Sequence, residues 1–251
     1  MKIKYKYILA VIVIILTTAF VTDFVVRRTI VSDKNIQKEG VIEEIQGSNS
    51  DLNNIKKDTS KEDKISNCPF GLCMGQSLDE IKKLTGESNV KEVSKDFYEL
   101  HTVPKPHPSF STYIVLIDSE IGVCKVNAIS DDIITSVYGT ELKSQFEAIQ
   151  SQLEKTYGKE KKYDFLSAGS IWRESNDWMM GLLKKERFLS SYWTLKESDE
   201  SNKVIKLRNI NTISLQATAI SQEKGYISLG YEFNNFQDCA KKIKDKEASS
   251  L

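Results

Sequence analysis

The chain has 251 residues, and its 35 lysine and arginine residues balance 35 aspartate and glutamate residues, so the formal net charge is zero. The basic residues are dispersed and form no stripe interleaved with aromatic residues, which argues against a nucleic-acid-binding surface. A hydrophobic fraction of 40% and a charged fraction of 28% are typical of an ordinary globular protein.

The N-terminal segment has the pattern of a membrane anchor. Three lysines precede an uncharged run from Ile8 to Thr22, and residues 8–26 approach the roughly 20 apolar residues that a transmembrane helix needs. We predict that residues 1–28 form an uncleaved anchor, with a signal peptide cleaved near Ala19 as the alternative. The positive-inside bias predicts a single-pass protein of the bacterial inner (cytoplasmic) membrane whose body lies outside the cytoplasm.

Residues 29–66 contain many Ser, Asn, Asp and Lys residues and no aromatic residue. Such a composition cannot bury enough apolar surface to fold by itself. We therefore predict a flexible tether between the anchor and the body.

The body contains four cysteines, at positions 68, 73, 124 and 239. An even number in an exported protein permits two disulfides. Cys68 and Cys73 could close a small loop, while Cys124 and Cys239 lie on apolar faces of a predicted strand and helix and could meet inside the fold. Four separate thiols are the alternative. No metal or cofactor is predicted, because there are only two histidines, no second close cysteine pair and no Gly-rich phosphate loop.

Residues 67–135 are predicted to form a first helix-and-sheet unit. Ser77 and Glu80 have the spacing of a capping box, which starts a helix that Gly86 ends. Strands are predicted at residues 97–101, 112–118 and 123–129, the last two as a hairpin.

Residues 136–251 are predicted to form a second unit that carries an additional helix. After Thr140, apolar residues recur at helical spacing, at Leu142, Phe146, Ile149, Leu153 and Tyr157. Strands are predicted at residues 162–166, 189–195, 212–220 and 226–233, the additional helix at 176–186, and a final helix after residue 235.

The two predicted hairpins resemble each other. Ile117 precedes Gly122 by five residues, as Ile220 precedes Gly225, and apolar residues alternate in the same phase after each glycine. The predicted fold class is therefore α+β, with an N-terminal transmembrane helix followed by duplicated helix-plus-antiparallel-sheet units.

One short segment resembles a known family. Met74-Gly-Gln-Ser-Leu-Asp-Glu-Ile-Lys-Lys-Leu-Thr-Gly86 is similar to the first helix of SmpA-type outer-membrane assembly lipoproteins, and Phe70-Gly-Leu-Cys-Met-Gly75 resembles the start of uncharacterised exported bacterial domains. In the SmpA-type proteins a short helical region packs on an antiparallel sheet, and the proteins serve as binding or scaffolding modules. The resemblance implies a similar arrangement here, although this chain lacks the lipobox cysteine.

All three tryptophans fall between residues 163 and 195. Trp172 and Arg173 lie in a predicted loop, and both residue types are enriched among interface hot spots, so we predict a partner-binding role for them. Trp178 could continue this surface along a helix face, with core packing of Trp178 and Trp193 as the alternative.

A second candidate partner-binding segment is a proline-rich loop between two predicted strands. Pro104, Pro106 and Pro108 force this segment to be extended and rigid. His101 and His107 flank the prolines, and we interpret them as solvated loop histidines because a metal site would need carboxylates from elsewhere.

No sequence motif indicates catalysis: the chain has no nucleophile elbow, zincin helix or clustered Cys/His arrangement. Asp131, Asp132 and Asp164 could act together only if the fold brings them close. The absence of these motifs favours a non-catalytic protein without excluding an enzyme.

We predict a membrane-anchored extracytoplasmic protein that binds a protein partner in the cell envelope, with an exclusion or immunity role as its narrower form. The alternatives are a membrane-tethered hydrolase acting on envelope polymers and a structural subunit of a membrane complex.

Overall fold

Antiparallel strands dominate the part of the chain that the computed structural model describes, residues 68–194 and 209–248. Its nine strands are β1 (Val90–Ser94), β2 (Phe97–Leu100), β3 (Thr112–Asp118), β4 (Gly122–Ile129), β5 (Ile133–Ile134), β6 (Lys161–Leu166), β7 (Arg187–Thr194), β8 (Ile210–Ser221) and β9 (Lys224–Phe233). Its four α-helices are α1 (Leu78–Thr85), α2 (Thr140–Tyr157), α3 (Trp178–Leu183) and α4 (Phe236–Ala248).

All nine strands belong to one sheet. Eight of them follow the order β1-β2-β3-β4-β9-β8-β7-β6, and β5 pairs with the start of β9. The central β4–β9 ladder runs from Lys125 opposite Glu232 to Ile129 opposite Ser228 and joins the two halves of the chain. The predicted fold class, with duplicated helix-plus-sheet units, is therefore wrong. Two separate sheets would each expose the edge of a long, largely apolar strand, and pairing β4 with β9 removes both edges.

The transmembrane helix of the predicted fold class is likewise not supported. No helix within residues 68–194 and 209–248 is long and apolar enough to cross a membrane. The predicted anchor, residues 1–28, and the predicted tether, residues 29–66, lie outside the described residues.

Helix α2 covers one face of the sheet with the apolar stripe that its sequence predicts. Leu142, Phe146, Ile149, Leu153 and Tyr157 are all buried. Trp193 of β7 lies in the same core, and its indole Nε1 donates a hydrogen bond of 2.8 Å to the carbonyl oxygen of Gly158, the residue that ends α2. Helical periodicity thus correctly identified the side of α2 that packs against the strands.

Helix α1 begins with the predicted capping box. The side chain of Ser77 accepts a hydrogen bond from the backbone N–H of Glu80, and the Glu80 carboxylate accepts one from the N–H of Ser77. Just before the helix, Gly75 lies against Gly122, and a Cβ atom on Gly122 would collide with the Gly75 backbone. Since Gly122 also has a φ of +80°, only glycine fits this contact, which holds the start of α1 against β4.

Two disulfides are formed, Cys68–Cys73 and Cys124–Cys239, as the spacing and the apolar faces permitted. The second attaches α4 to β4, and both of its cysteines are fully buried. Asn235, just before α4, donates a 3.0 Å hydrogen bond from Nδ2 to the carbonyl oxygen of Val123, at the same strand. The alternative of four separate thiols is wrong, and α4 is covalently attached to the centre of the sheet.

Candidate functional site

The connections at one end of the sheet lie side by side. Thr112 pairs with Ile129, and Ile129 pairs with Ser228, so the loop before β3 and the loop after β4 lie at the same end. The ladders through β8 and β7 to β6 place the β8–β9 turn and the loop after β6 there too. We call this surface the loop end; it comprises residues 101–111, 130–139, 167–177 and 221–224. The turns at residues 95–96 and 119–121 lie at the opposite end.

The loop end concentrates the exposed apolar side chains. Five large hydrophobic residues are exposed within the described ranges, and Leu84 on α1 is one of them. The other four lie at the loop end or, for Phe165, at the adjoining end of β6: Ile134 (67% exposed), Tyr138 (50%), Phe165 (44%) and Ile171 (75%). Single exposed apolar residues are normal, but their concentration at one end of the sheet makes that end the best candidate for an interaction surface.

The predicted Trp172 loop is held in shape by its own hydrogen bonds. The backbone N–H of Trp172 donates to the hydroxyl of Ser170 at 3.2 Å, and Nε of Arg173 donates to the Ser170 carbonyl at 2.9 Å. At the base of the loop, the N–H of Ser167 donates to the carbonyl of Glu186 at 2.6 Å. Trp172 is half-buried and Arg173 is exposed, so this loop presents the residue types expected of a contact surface.

Trp178, by contrast, belongs to the core. It is 5% exposed, and its ring lies so close to Gly139 that a Cβ atom there would collide with it. The ammonium of Lys143 lies 4.2 Å from the centroid of the ring, and burial lowers the pKa of Lys143. Trp193 is 2% exposed. Trp178 therefore supports α3 and α2 from inside and offers a partner little surface.

The proline loop is also pinned to the body. Pro104 and Pro106 are exposed, and the backbone N–H of Lys105 between them donates to the carbonyl of Phe70 at 3.0 Å. Pro104 also packs against Gly71, leaving no space for a side chain there. The loop that the Cys68–Cys73 disulfide closes thus forms the base of the proline loop.

The contacts of Phe70 hold the Cys68–Cys73 loop in place beneath the proline loop. Its backbone has a φ of +57°, and its ring makes edge contacts with Phe110, Tyr113 and Tyr231 at centroid separations of 6.0, 5.0 and 5.8 Å. Tyr113 is buried, which raises the pKa of its hydroxyl, and that hydroxyl oxygen accepts a hydrogen bond from the backbone N–H of His107. No sequence pattern indicates this role, because Phe70 is an isolated aromatic residue in a six-residue cysteine loop.

The two histidines have separate surroundings. Nδ1 of His101 lies 3.9 Å from a carboxylate oxygen of Glu99, whereas Nε2 of His107 is hydrogen-bonded to the side-chain oxygen of Gln152 at 3.1 Å. Across residues 68–194 and 209–248, no three His, Cys, Asp or Glu side chains form a group that could hold a metal ion.

The carboxylates considered for hydrolysis are not brought together. Asp131 accepts a hydrogen bond from Ser111, Asp132 forms an ion pair with Lys224, and Asp164 lies 3.7 Å from Arg187. In the sheet order β6 is four strands away from β4, about 19 Å at the usual strand spacing. Each of these carboxylates thus has a local partner, and Asp164 is not placed to act with Asp131 or Asp132.

A small acidic depression of about 260 Å³ lies at the end of the sheet opposite the loop end. Asp118 in its lining accepts hydrogen bonds from the backbone N–H groups of Glu120 and Ile121 and lies 3.3 Å from Nζ of Lys242. The carboxylate therefore stabilises the β3–β4 turn and attaches α4 to it, which is a structural role.

Four exposed apolar residues were not predicted as contact residues from the sequence: Ile134, Tyr138, Phe165 and Ile171. The available signal was an apolar side chain inside a polar connection, as for Ile171 in Ser170-Ile-Trp-Arg173 and for Tyr138 directly before Gly139.

Comparison of the chain with protein-family models, curated proteins and solved structures gives no match. The likeness of residues 74–86 to SmpA-type proteins thus remains a local resemblance.

Proposed function

We propose that this chain is an exported binding protein of the cell envelope that contacts a protein partner through the loop end. The observation that carries the proposal is the position of the contact candidates. The proline loop and the Trp172 loop, far apart in sequence, lie at the same end of one sheet together with Ile134, Tyr138 and Ile171.

The size of the surface fits a protein partner. From β3 to β6 there are five strand spacings, so the loop end is about 24 Å wide. A standard protein interface covers about 800 Å² on each partner, which needs a surface of about this width. A small ligand would instead need a deep pocket with converging polar groups.

Rigid loops also favour binding. The proline loop is hydrogen-bonded to Phe70, and the Trp172 loop is closed by bonds to Ser170 and Glu186. Loops that are ordered before association lose less conformational entropy when they bind, so more of the contact energy is available as affinity.

Two disulfides support an exported body, because such bonds persist in oxidising compartments and are rare in the cytosol. Anchoring in the cytoplasmic membrane remains a prediction from the sequence, since residues 1–28 lie outside the described residues. The separation of Asp131 and Asp164 removes the carboxylate pair that the hydrolase alternative considered. A structural subunit of a membrane complex would use the same surface and would co-purify with its partner in fixed stoichiometry.

Site-specific photo-crosslinking in intact cells tests the proposal. A photoreactive phenylalanine analogue is placed at Pro106, Ile171 or Trp172 of the full-length chain, and at Lys95 or Ser119 at the opposite end as matched exposed controls. The three loop-end positions should give the same crosslinked protein, and the two control positions should not. Crosslinks only from the controls, or none from any loop-end position, would contradict the proposed surface.

A further inference from the structure

Strand β6 is an edge of the sheet. It pairs with β7 on one side, and no described strand pairs with its other side. Lys161, Lys162, Asp164 and Phe165 are exposed, so the outer side of the strand is accessible. An accessible edge presents a row of backbone N–H and C=O groups that can pair with another extended chain.

Aromatic side chains on β6 and β7 form a ladder across the sheet face opposite α2. Tyr163 contacts Tyr192 at a centroid separation of 5.7 Å, and Phe165 stacks on Phe188 at 5.0 Å. Phe165 remains 44% exposed because the ladder stops at the edge strand. A further strand beside β6 would place side chains against these two rings, in the cross-strand positions where aromatic and apolar pairs stabilise sheets.

The charges of β6 favour an acidic segment. Lys161 lies on the same face as the aromatic ladder, with its ammonium 5.4 Å from the centroid of Tyr163. Lys159 and Lys161 are both exposed, whereas Lys162 lies on the other face of the strand, 3.9 Å from a carboxylate oxygen of Glu147. In an antiparallel pairing, the C-terminal part of the incoming segment would lie beside these lysines, so carboxylates at that part would be attracted.

A second copy of this chain complements the edge less well than an acidic segment does. In a symmetric antiparallel pairing of two β6 strands centred on Tyr163, Lys162 would lie opposite Asp164, but these two residues already pair with Glu147 and Arg187. Lys161 would then lie opposite Phe165, without a carboxylate partner. A parallel pairing in register would place like charges side by side, which is destabilising. Lysines on an edge strand protect against self-association while leaving the edge open to a partner of opposite charge.

We propose that β6 binds an extended acidic segment of the partner protein as an additional antiparallel strand. Apolar side chains at alternate positions of that segment would contact Tyr163 and Phe165, and its acidic residues would lie near Lys161. This inference rests on the proposed binding function and specifies the kind of segment that the partner supplies.

A peptide selection tests the chemistry. A displayed library of random twelve-residue peptides is selected on the full-length chain, and the best peptide is titrated by fluorescence anisotropy. We expect alternating apolar residues followed by acidic ones, and about fivefold weaker binding to Lys161→Glu and to Phe165→Ser. The charge reversal Lys95→Glu, in the turn near the other sheet edge, is the matched control and should bind like the wild type. Unchanged melting temperatures show that the variants are folded.

Hydrogen exchange tests the mode of binding. The selected peptide should slow amide exchange in residues 161–166 and leave β1, at the other edge of the sheet, unchanged. Failure to select any peptide, protection elsewhere than β6, or equal weakening by Lys95→Glu would overturn the inference. A photoreactive residue at Lys159 distinguishes a failure of the added-strand inference from a failure of the proposed binding function. Crosslinks at Trp172 without crosslinks at Lys159 would reject only the added strand, whereas their absence at both positions would reject the binding function.

Discussion

The disulfide between Cys124 and Cys239 joins residues 115 positions apart, whereas Cys68 and Cys73 are five positions apart. In the chain-entropy description, a disulfide stabilises a protein by restricting its unfolded state, and the effect grows with the logarithm of the loop length. Replacing both cysteines of the long-range pair by serine should therefore lower the free energy of unfolding by about 5 kcal/mol, against about 2 kcal/mol for the short-range pair.

Thermal unfolding of the two double variants, followed by circular dichroism, measures this difference. In a protein of this size 1 kcal/mol corresponds to roughly 2–4 °C in melting temperature. We expect a decrease of about 10–20 °C without Cys124–Cys239 and of about 4–8 °C without Cys68–Cys73. Wild-type protein unfolded in excess dithiothreitol, with both disulfides reduced, should melt no higher than either variant.

Equal destabilisation of the two variants, or a larger effect of the short-range pair, would refute this reasoning. The first result would show that the unfolded chain keeps Cys124 near Cys239 without the bond. The second result would show that the contacts of Phe70 at the base of the proline loop stabilise the fold strongly. Their contribution would then exceed the stabilisation that Cys124–Cys239 provides by restricting the unfolded chain.

Two further predictions concern α2. Phe146 is fully buried, so Phe146→Ala should lower the free energy of unfolding by about 3–5 kcal/mol, measured by urea titration. Hydrogen bonds from the Ser136 N–H and the Thr135 hydroxyl lower the pKa of Glu141. Because the folded-state pKa is lowered, this carboxylate stabilises the fold above its usual pKa of 4.5, and that stability is lost as the pH falls through the folded-state value. Urea titrations between pH 7 and pH 3 should therefore show the stability advantage of wild type over Glu141→Gln shrinking with acidification.

Each of these two predictions has its own control. Glu147→Ala, at the next and exposed position of α2, removes only a surface ion pair of 3.9 Å with Lys162 and should leave the urea midpoint nearly unchanged. A comparable loss there would show that Phe146→Ala reports on the helix rather than on the core. For Glu141→Gln, a stability difference that stays constant down to pH 3 would contradict the assigned role of the carboxylate.

Local features of the fold could be read from the sequence. The buried stripe of α2, the Ser77 capping box and the β3–β4 and β8–β9 hairpins depend on residues close together in the chain, and all were predicted. Strand β1 was missed because Val90-Lys-Glu-Val-Ser94 has only two apolar residues and lies at an edge, where burial is slight.

The pairing of β4 with β9, which joins the two halves of the chain, could not be predicted from the sequence in this way. Alternation in β4 and β9 shows that both strands are buried, but it does not say which strand lies next to which. The buried ion pair between Lys125 and Glu232, at 2.8 Å, is a sign of the junction that becomes visible only once the two residues are side by side. For the same reason the proline loop and the Trp172 loop could each be predicted as connections, while their shared end of the sheet could not.

The β4–β9 junction has a consequence for how the chain reaches its final form. Lys125 and Glu232 are 107 residues apart, so β4 has no partner on that side until more than a hundred further residues have been synthesised. During that interval the half-formed sheet presents a long apolar border to other nascent chains. A charged residue on such a border disfavours pairing with another chain, and Lys125 lies in the middle of this one until its ion pair with Glu232 forms.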